Sequence, residues 1–384
     1  MKKILIISTD NFPNGNAGAL RQETLSKLMV LNGYKVDILG YGPFTNFEFK
    51  DLNESIKYLS YRGKSNNLLC KIRDRLLFKF RVKKYVNNSI NDYKAILFVS
   101  IPLSLINFLK KVCHKNKIIL IHDSVEWYSP SEFVLGIFSP FYIEKNLLNQ
   151  RYIDSSVRVI GISSFLSDYF NSKGCITTRI PFICDTDVKN LKSNNSKISF
   201  VYAGQMGNKD HLNTFLEAVS CLDKTLQERI TIDIFGPTFK EMKSNRQINE
   251  ELYNKILNLN IHGRVDRNVI MEYLSTANFT ILFRNSSERY SKAGFPTKVV
   301  ESLCMNTPVL CNLSSDLGMY LIDGVNSIIS KSERSEDILD CLVRILTMSE
   351  SELLEMQCKA RELACTKFDY RLFKKNINDL LTGD

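Results

Sequence analysis

The sequence predicts an α/β protein built from two doubly wound domains, and three observations carry this prediction. The chain has 384 residues, which at very roughly 150 residues per domain is enough for two cores. With 44% hydrophobic and 24% charged residues, its composition is that of a folded protein. Short β-branched runs alternate with segments of helical period, which is the pattern of parallel sheets with crossover helices.

The first half of the chain contains five of the predicted strands. Residues 21–31 have an apolar face and end at Asn32-Gly33, where glycine can adopt the left-handed cap of a helix, so this segment and its flanking strands form a βαβ unit. The five strands are KILIIS from Lys3, KVDILG from Lys35, AILFVS from Ala95, KIILIHD from Lys117 and VRVIG from Val157.

The second half repeats the alternation after a linker. Residues 179–197 contain a proline and then a polar Asn/Ser/Lys run, which predicts the boundary between the domains. The strands expected beyond it are 198–204, 230–236, 279–283 and 307–312, and the helices are 211–222, 267–276, 297–304, 351–365 and 368–381. Because ligands of such sheets bind beyond the carboxyl ends of the strands, the loops that follow strands are expected to carry the chemistry.

Charge and cysteine usage limit the binding partners and the cellular compartment that we expect. Lys plus Arg number 51 and Asp plus Glu 41, a net charge of +10 that attracts nucleotide phosphates, anionic lipid or nucleic acid. The first apolar run stops at Ser8, too short for a signal peptide, and no run reaches the roughly 20 residues of a membrane span. The ten cysteines are scattered and never form CxxC, which favours reduced thiols over disulfides or a zinc site. We expect a cytoplasmic protein.

Several enzyme classes lose support because their motifs are absent. There is no P-loop, GNAG replaces a dinucleotide turn after the first strand, and neither HExxH nor GxSxG occurs. This argues against kinases, simple dehydrogenases, metallohydrolases and serine hydrolases. Asp185-Thr186-Asp187 spells the DxD of some metal-dependent transferases, but it falls at the expected linker, and no metal is expected.

The densest group of charges lies in residues 284–310. Arg284, Arg289, Lys292 and Lys298 follow a strand and surround a helix start at Pro296. Free N–H groups at a helix start beside cations bind anions such as a diphosphate, and Glu301 one turn later can accept hydrogen bonds from adjacent sugar hydroxyls. The alternative is a solvated loop with a helical ion pair between Lys298 and Glu301, and spacing alone leaves both open.

The run from Lys292 to Val309 resembles the donor motif K-A-G-F-P-T-K-x-x-E-x6-P-V of GT-B glycosyltransferases of family four, in the bacterial capsule and lipopolysaccharide branch. Other stretches are similar to further motifs of this family, so the resemblance covers nearly the whole chain. They are GNAGALRQETLSKLMVLNGYKVDIL, IHDSVEW, ISSFLSDYF, IPFICDTD, VYAGQMGNKDHLNTFLEAV and HGRVDRNVIMEYLSTANFTILFR.

The resemblance implies the GT-B fold, two Rossmann-like domains facing a cleft. Residues 1–185 would bind the acceptor, residues 186–366 the nucleotide-sugar, and the helix in 367–384 would cross back to the first domain. The activity implied is retaining transfer of a sugar, expected on UDP, to a hydroxyl of a glycan or lipid-linked glycan in bacterial surface polysaccharide synthesis. No metal or other cofactor is implied, and the donor's own phosphate oxygen would help to take the proton.

The resemblance also implies roles for individual residues. Glu301 would hold the ribose hydroxyls, Lys209 would neutralise the diphosphate, and His122 would approach the donor sugar, which makes these three the catalytic candidates. Further nucleotide-sugar contacts are expected at Gly18, Gly204, Gln205, Arg284, Pro296, Thr297 and Lys298. Acceptor contacts are expected at Gly15, Asn16, Arg21 and Asp123.

Two positions depart from the family pattern. Ala293 stands where many members have the first carboxylate of Glu-x7-Glu, and Gln205 replaces an arginine whose charge we expect Arg284 to supply. Gly15 and Gly18 also fit a turn that needs positive φ, and this role is compatible with ligand binding.

A second basic region extends from Lys71 to Lys84. It combines cations with Leu69, Ile72, Leu76 and Phe80 at helical spacing, which predicts either a helix lying on an anionic membrane surface or an ordinary helix packing this stripe on its sheet. No nucleic-acid module is present. Two other functions stay open for the chain: a nucleotide-sugar epimerase of the same architecture, and a GT-B-like module that binds a glycan or partner without turnover.

Overall fold

The chain divides into two units, and the first is made of two separate stretches of sequence. A computed structural model describes residues 2–10, 12–13, 17–43, 50–62, 68–187, 197–204 and 209–383. The first unit comprises Met1–Ile183 together with Tyr370–Asp384, and the second comprises Cys184–Asp369. The chain therefore passes between the units twice, at Ile183/Cys184 and at Asp369/Tyr370.

The first unit is built on an eight-stranded sheet in the order β3-β4-β2-β1-β5-β6-β7-β8. Every pairing is parallel except that of β3 with β4. The strands are β1 (Lys3–Ser8), β2 (Lys35–Pro43), β3 (Lys50–Asn53), β4 (Ile56–Arg62), β5 (Tyr93–Val99), β6 (Ile119–Ser124), β7 (Arg158–Gly161) and β8 (Thr177–Arg179). The helices are α1 (Ala17–Leu31), α2 (Leu68–Ser89), α3 (Leu103–Asn116), α4 (Pro140–Leu147) and α5 (Ser164–Ser172).

The second unit is built on a six-stranded parallel sheet in the order β11-β10-β9-β12-β13-β14. Its strands are β9 (Ile198–Ala203), β10 (Ile230–Phe235), β11 (Leu259–Gly263), β12 (Phe279–Leu282), β13 (Val309–Asn312) and β14 (Ser327–Ser330). Its helices are α6 (Leu212–Ser220), α7 (Lys224–Glu228), α8 (Phe239–Ser244), α9 (Glu250–Lys255), α10 (Arg267–Thr276), α11 (Arg289–Ala293), α12 (Thr297–Cys304), α13 (Ser335–Thr347) and α14 (Glu350–Leu363). The last helix, α15 (Lys374–Thr382), is part of the first unit.

The central strands are buried on both faces, which explains why their continuous apolar runs predicted them. Ile4 to Ile7 of β1 are all fully buried, as expected for a parallel strand covered by helices on both faces. All nine predicted strands are present, and the prediction of a doubly wound α/β fold is confirmed. The strand order reverses at β1/β5 in the first sheet and at β9/β12 in the second, and such reversals place ligand sites at the carboxyl ends of these strands.

The sequence left open whether the stripe of Leu69, Ile72, Leu76 and Phe80 on α2 packs on the sheet or faces outward. Phe78, Val82 and Val86 are fully buried, whereas Leu76 and Phe80 are 64% and 66% exposed. The side chains of Leu69 and Ile72 lie outside the described part of the chain. Leu76 and Phe80 therefore do not pack on the sheet, and the ordinary packing of this stripe is not observed for them.

Two cysteines of the second unit lie near each other. The Cα atoms of Cys184 and Cys304 are 7.5 Å apart, farther than the roughly 4.4 to 6.8 Å that a disulfide spans. Reduced thiols therefore stay a prediction. Separately, none of the helices within the described residues is long and apolar enough to span a membrane.

Candidate active site

The charged side chains of the second unit converge beyond the switch between β9 and β12. Asp210 follows the loop after β9, and Arg284 follows β12. A backbone bridge joins these two residues, and the His211 N–H donates to the Phe283 carbonyl at 2.8 Å. Because β9 and β12 are neighbours in the sheet, two segments more than 70 positions apart share one edge. This is where the fold is expected to hold a ligand.

Asp210 is the centre of a buried ion cluster. Its Oδ1 accepts a hydrogen bond from Arg284 Nε at 2.8 Å, and its Oδ2 accepts one from Lys298 Nζ at 2.5 Å. The Tyr202 hydroxyl donates to the same Oδ2 at 2.9 Å, and Lys298 Nζ lies 4.1 Å from the centre of the Tyr202 ring. The cluster of Asp210, Arg284 and Lys298 carries one net positive charge.

The cluster fixes the charge states of its members. Burial alone would raise the pKa of Asp210, but Lys298 and Arg284 outweigh it and hold the pKa well below the ordinary range. Burial and the charge of Arg284 lower the pKa of Lys298, and Asp210 opposes this shift. Burial and the adjacent carboxylate raise the pKa of Tyr202, so its hydroxyl stays protonated as a donor.

Helix α12 brings its amino end to this cluster. Pro296 precedes the helix as its N-cap, Thr297 is its first residue, and Lys298 is its second. N–H groups in the first turn of a helix lack partners within the helix, and beside a cation such as Lys298 they can bind phosphate. The anion site at this helix stays a prediction.

Glu301 lies one turn further along α12. Its Oε1 accepts a hydrogen bond from Arg267 Nη2 at 2.6 Å, and its side chain remains 22% exposed. Lys298 pairs with Asp210, and Glu301 pairs with Arg267. The alternative prediction of a helical ion pair between Lys298 and Glu301 is therefore wrong. Arg267 therefore binds one of the two carboxylate oxygens of Glu301.

Two glycines keep the loop after β9 close to these groups. A Cβ on Gly204 would lie 2.8 Å from Lys298 Nζ, so any larger residue here would force the ammonium to shift. Gly236 has a φ of +111°, and a Cβ there would lie 2.0 Å from the Gly204 carbonyl oxygen. Lys209, at the far end of this loop, places its Nζ 5.5 Å from the centre of the Tyr290 ring. Gln205 lies outside the described residues.

In the first unit, His122 lies within β6, two residues before the strand ends at Ser124, and not at the end of the strand as predicted. Burial lowers its pKa to about 3, and a backbone hydrogen bond at Phe98 only partly offsets this, so the imidazole is neutral at pH 7. It stacks on the Phe98 ring at 4.9 Å and lines a small cavity with Asp123, Glu126, Tyr128 and Lys145. Within the described residues, its Nδ1 has no hydrogen-bond partner. A buried, unpaired nitrogen beside a cavity is suited to hydrogen bonding with a ligand hydroxyl.

Arg21 and Asp123 meet each other. Arg21 Nε donates to Asp123 Oδ2 at 2.8 Å and Nη2 donates to Oδ1 at 2.7 Å, while Nη1 donates to the Pro181 carbonyl at 2.7 Å. The two side chains are almost fully buried. This geometry ties α1 and β6 to the segment after β8, and acceptor contact by either residue stays a prediction.

Gly18 has a packing role. It lies in the first turn of α1, so the positive φ expected of a turn glycine is not found there. A Cβ on Gly18 would lie 2.5 Å from Asp10 Oδ2, which shows how closely the helix start approaches that carboxylate. Gly15 and Asn16, the other predicted residues of this loop, lie outside the described residues.

Metal ligation has no candidate group in the described part of the chain. No set of three His, Cys, Asp or Glu side chains is placed to hold an ion there. In the DxD sequence, the hydroxyl of Thr186 donates to Asp369 Oδ2 at 2.5 Å, so this segment is engaged with the end of the second unit.

Sequence reasoning missed two members of the site. Asp210 follows Lys209 directly, but its partners Arg284 and Lys298 are 74 and 88 positions away. Arg267 lies 34 positions before Glu301. An acidic residue beside a predicted diphosphate lysine was the only available signal, and it does not reveal its partners.

Comparison with solved structures defines the fold class. Sucrose-phosphate synthase from Thermosynechococcus elongatus superposes with a TM-score of 0.80 at 13% identity, covering 100% of this chain and 99% of that chain. Anabaena HepE, solved in complex with UDP-glucose, gives 0.69 at 14% identity and covers 100% of both chains. WaaG, a glycosyltransferase involved in lipopolysaccharide biosynthesis, gives 0.70 at 12% identity, covering 99% of this chain and 100% of that one. The fold is GT-B, as predicted.

The sequence comparison is more specific. Residues 185–362 match the family described as glycosyl transferases group 1, a match that spans almost all of the second unit. The second unit is therefore a group 1 glycosyltransferase domain, and the prediction of a glycosyltransferase is confirmed for it. No curated protein sequence matches the chain at a significant level.

Proposed function

We propose that the protein is a retaining glycosyltransferase that moves a sugar from a UDP-sugar to a hydroxyl of a glycan or lipid-linked glycan in bacterial surface polysaccharide synthesis. The observation that carries the proposal is the cluster of Asp210, Arg284 and Lys298 beside the amino end of α12. A leaving nucleoside diphosphate gains negative charge in the transition state. Fixed cations and helix N–H groups stabilise that charge without reorganising.

The assignment of roles follows from these positions. Lys298, Arg284 and Lys209 would neutralise the diphosphate, and the N–H groups after Pro296 would bind its oxygens. Glu301, oriented by Arg267, would accept hydrogen bonds from the ribose hydroxyls. UDP is proposed because HepE, which shares the fold, was solved with UDP-glucose, and the polysaccharide setting is proposed because WaaG acts in lipopolysaccharide biosynthesis.

His122 would serve as a neutral hydrogen-bonding group near the donor sugar. Burial lowers its pKa, so the imidazole is neutral at pH 7, and no side chain is assigned as a nucleophile. The proton of the acceptor hydroxyl would pass to the departing phosphate. We propose that transfer needs no metal, so EDTA should leave the rate unchanged.

Nucleotide binding is the first test of the proposal. Thermal unfolding is followed with UDP, GDP, ADP and uridine, because a ligand that binds the native state raises its apparent stability. Stabilisation by UDP above all others is expected, and a flat response to every nucleotide would contradict the proposal. Lys209→Ala with Glu301→Ala should abolish the shift, whereas Lys359→Ala on the exposed face of α14 should keep it.

A turnover assay then distinguishes the glycosyltransferase from the epimerase and from the binding module without activity. Incubation of a stabilising UDP-sugar with a glycan acceptor should give product with the anomeric configuration of the donor, measured by NMR. An epimerase would change the sugar without any acceptor. A binding module would release no UDP under either condition and would keep its role after loss of Lys209 and Glu301.

We further propose that α2 contacts an anionic membrane surface. Arg73, Leu76, Leu77, Phe80 and Lys84 all face solvent, at spacings of three and four residues that put them on one side of the helix. An apolar strip flanked by cations binds the interface of anionic lipid. Arg73→Glu with Lys84→Glu should weaken sedimentation with phosphatidylglycerol vesicles severalfold at low salt, and unchanged binding would contradict the contact.

A further inference from the structure

The segment of residues 133–143, here called the apolar tip, exposes an unusual amount of hydrocarbon. Val134 is fully exposed, and Leu135, Ile137 and Phe138 are exposed to 61%, 57% and 75%. The sequence FVLGIFSPFYI contains no charged residue. Contiguous exposed apolar side chains of this kind mark a surface that meets a partner or a membrane.

The tip is held in shape from beneath. The ring of Phe133 packs against those of Tyr128 and Phe141, with both pairs of centroids 5.7 Å apart. Short 3₁₀ turns lie at Pro130–Glu132 and Gly136–Phe138, and α4 begins directly after the second turn. The aromatic rings thus form a base, and the side chains around Gly136 point away from it into solvent.

The tip and α2 lie on the same face of the first sheet. The crossovers from β4 to β5 and from β6 to β7 run in the same direction along the strand order, so right-handed connections put both on one face. Both α2 and the tip begin beyond carboxyl ends of parallel strands. Helix α3 packs between α2 and the segment after α4: Lys83 Nζ lies 5.2 Å from the Phe108 ring centre, and Lys110 donates to the Tyr152 carbonyl at 3.0 Å.

We propose that the apolar tip inserts into the acyl-chain region of an anionic bilayer while the cations of α2 rest on its surface. The inference deepens the proposed membrane contact and rests on it. A bilayer supplies both features of this face at once, hydrocarbon for the tip and negative charge for α2. A second copy of the chain is a poorer partner for this surface, because two cationic α2 faces would then repel each other.

The proposal gives the acceptor's class a physical basis. A lipid-linked glycan is anchored in the same bilayer, and the tip follows β6, whose last residues include His122 and Asp123. The sheet edge that carries these polar side chains would therefore lie close to the headgroups. The lipid anchor would stay in the membrane while its sugar reaches the protein.

Vesicle binding of the full chain tests the insertion. Wild type, Ile137→Ser with Phe138→Ser, and Leu354→Ser are sedimented with vesicles of equimolar phosphatidylglycerol and phosphatidylcholine, at low salt and at about 0.5 M salt, where surface attraction is screened. Leu354 is a matched control because it is 56% exposed on α14 of the second unit. The tip variant should bind at least about tenfold more weakly than wild type at both salt concentrations, and the control should bind as wild type does.

A depth measurement checks that the tip itself enters lipid. The chain has one tryptophan, Trp127, which is buried, so wild type should show little quenching by brominated acyl chains. Phe138→Trp should shift its emission to the blue and be quenched on addition of vesicles. Absence of quenching would overturn the insertion.

The remaining outcomes separate the proposals. If the tip variant binds vesicles as wild type does, insertion of the tip is contradicted, whereas the membrane contact of α2 is not. The same conclusion follows if only Arg73→Glu with Lys84→Glu loses binding. A wild-type dimer without lipid that becomes monomeric in the tip variant would assign the tip to self-association and overturn the inference. Thermal stabilisation by UDP in each variant shows whether it is folded and tests donor binding independently.

Discussion

The Asp210 carboxylate lies 2.5 Å from the Lys298 ammonium, with side-chain exposures of 10% and 13%. A lysine at the amino end of a buried helix turn would lose its proton more readily if it stood alone, since burial disfavours the charged form. Asp210 therefore acts as a resident counter-ion for Lys298 and Arg284. The cluster keeps one net positive charge, which attracts anions.

Asp210→Asn should destabilise the second unit, because it leaves two buried cations without their counter-ion. Breaking such a buried pair costs about 3 to 5 kcal/mol in the free energy of unfolding, measured by urea denaturation. Saturating UDP should recover part of the loss by supplying the missing negative charge. Asp323→Asn, which breaks an exposed pair with Arg344, should cost at most about 1 kcal/mol. Equal losses in the two variants would argue against the counter-ion role.

Lys298→Gln should weaken UDP binding while leaving uridine binding unchanged. The ammonium is expected to contact only the diphosphate, and loss of a charged hydrogen bond weakens affinity about 10- to 100-fold. Isothermal titration with both ligands measures the difference. A parallel loss for uridine would mean that the substitution had damaged the site as a whole.

Glu301→Ala should remove the preference for a ribose 2′-hydroxyl. Wild type is expected to bind UDP about tenfold more tightly than 2′-deoxy-UDP, and the variant should bind the two equally. Arg267→Ala should give a smaller loss of the same preference, because Arg267 orients Glu301 without touching the nucleotide. If the variants still discriminated between the two nucleotides, the ribose role would belong to other groups.

His122 should make the free energy of unfolding depend on pH between about 3 and 6.5. Its pKa is about 3 in the folded protein and near 6.5 in an unfolded chain, so in this window the unfolded state binds the extra proton. Stability therefore rises with pH, and going from pH 7 to pH 4.5 should cost about 2 to 3 kcal/mol through this residue. His122→Asn should lose that share of the pH dependence in urea denaturation. His114→Asn, at an exposed position, should retain it.

The strands that the sequence did not predict are mostly those at the edges of the sheets. β3 and β8 border the first sheet, and β11 and β14 border the second. An edge strand is covered less completely, so its residues carry less of the apolar signal on which prediction depends. β3, KDLN, is exposed throughout, and only the central strands, such as β1, read as continuous apolar runs.

The candidate site divides in a similar way. The loop, the helix start and Glu301 were predictable because they lie in one continuous motif. The partners Asp210 and Arg267 were not, because ion pairs between distant segments exist only once the sheet brings strand ends together. The sequence left the orientation of Leu76 and Phe80 open, because α2 also carries a second apolar stripe. This second stripe, Phe78, Val82 and Val86, is the one that packs on the sheet.

Helix α15 has a consequence for the order in which the chain folds during synthesis. Its Ile377, Leu380 and Leu381 are buried in the same core as Ile4 and Ile6 of β1. A ribosome must translate the entire second unit before it reaches these residues, so the first unit keeps an open hydrophobic surface while the second is completed. The second unit, one uninterrupted stretch, can close earlier even though it begins later. A nascent chain halted before Ile377 should therefore expose the first unit to chaperones and proteases.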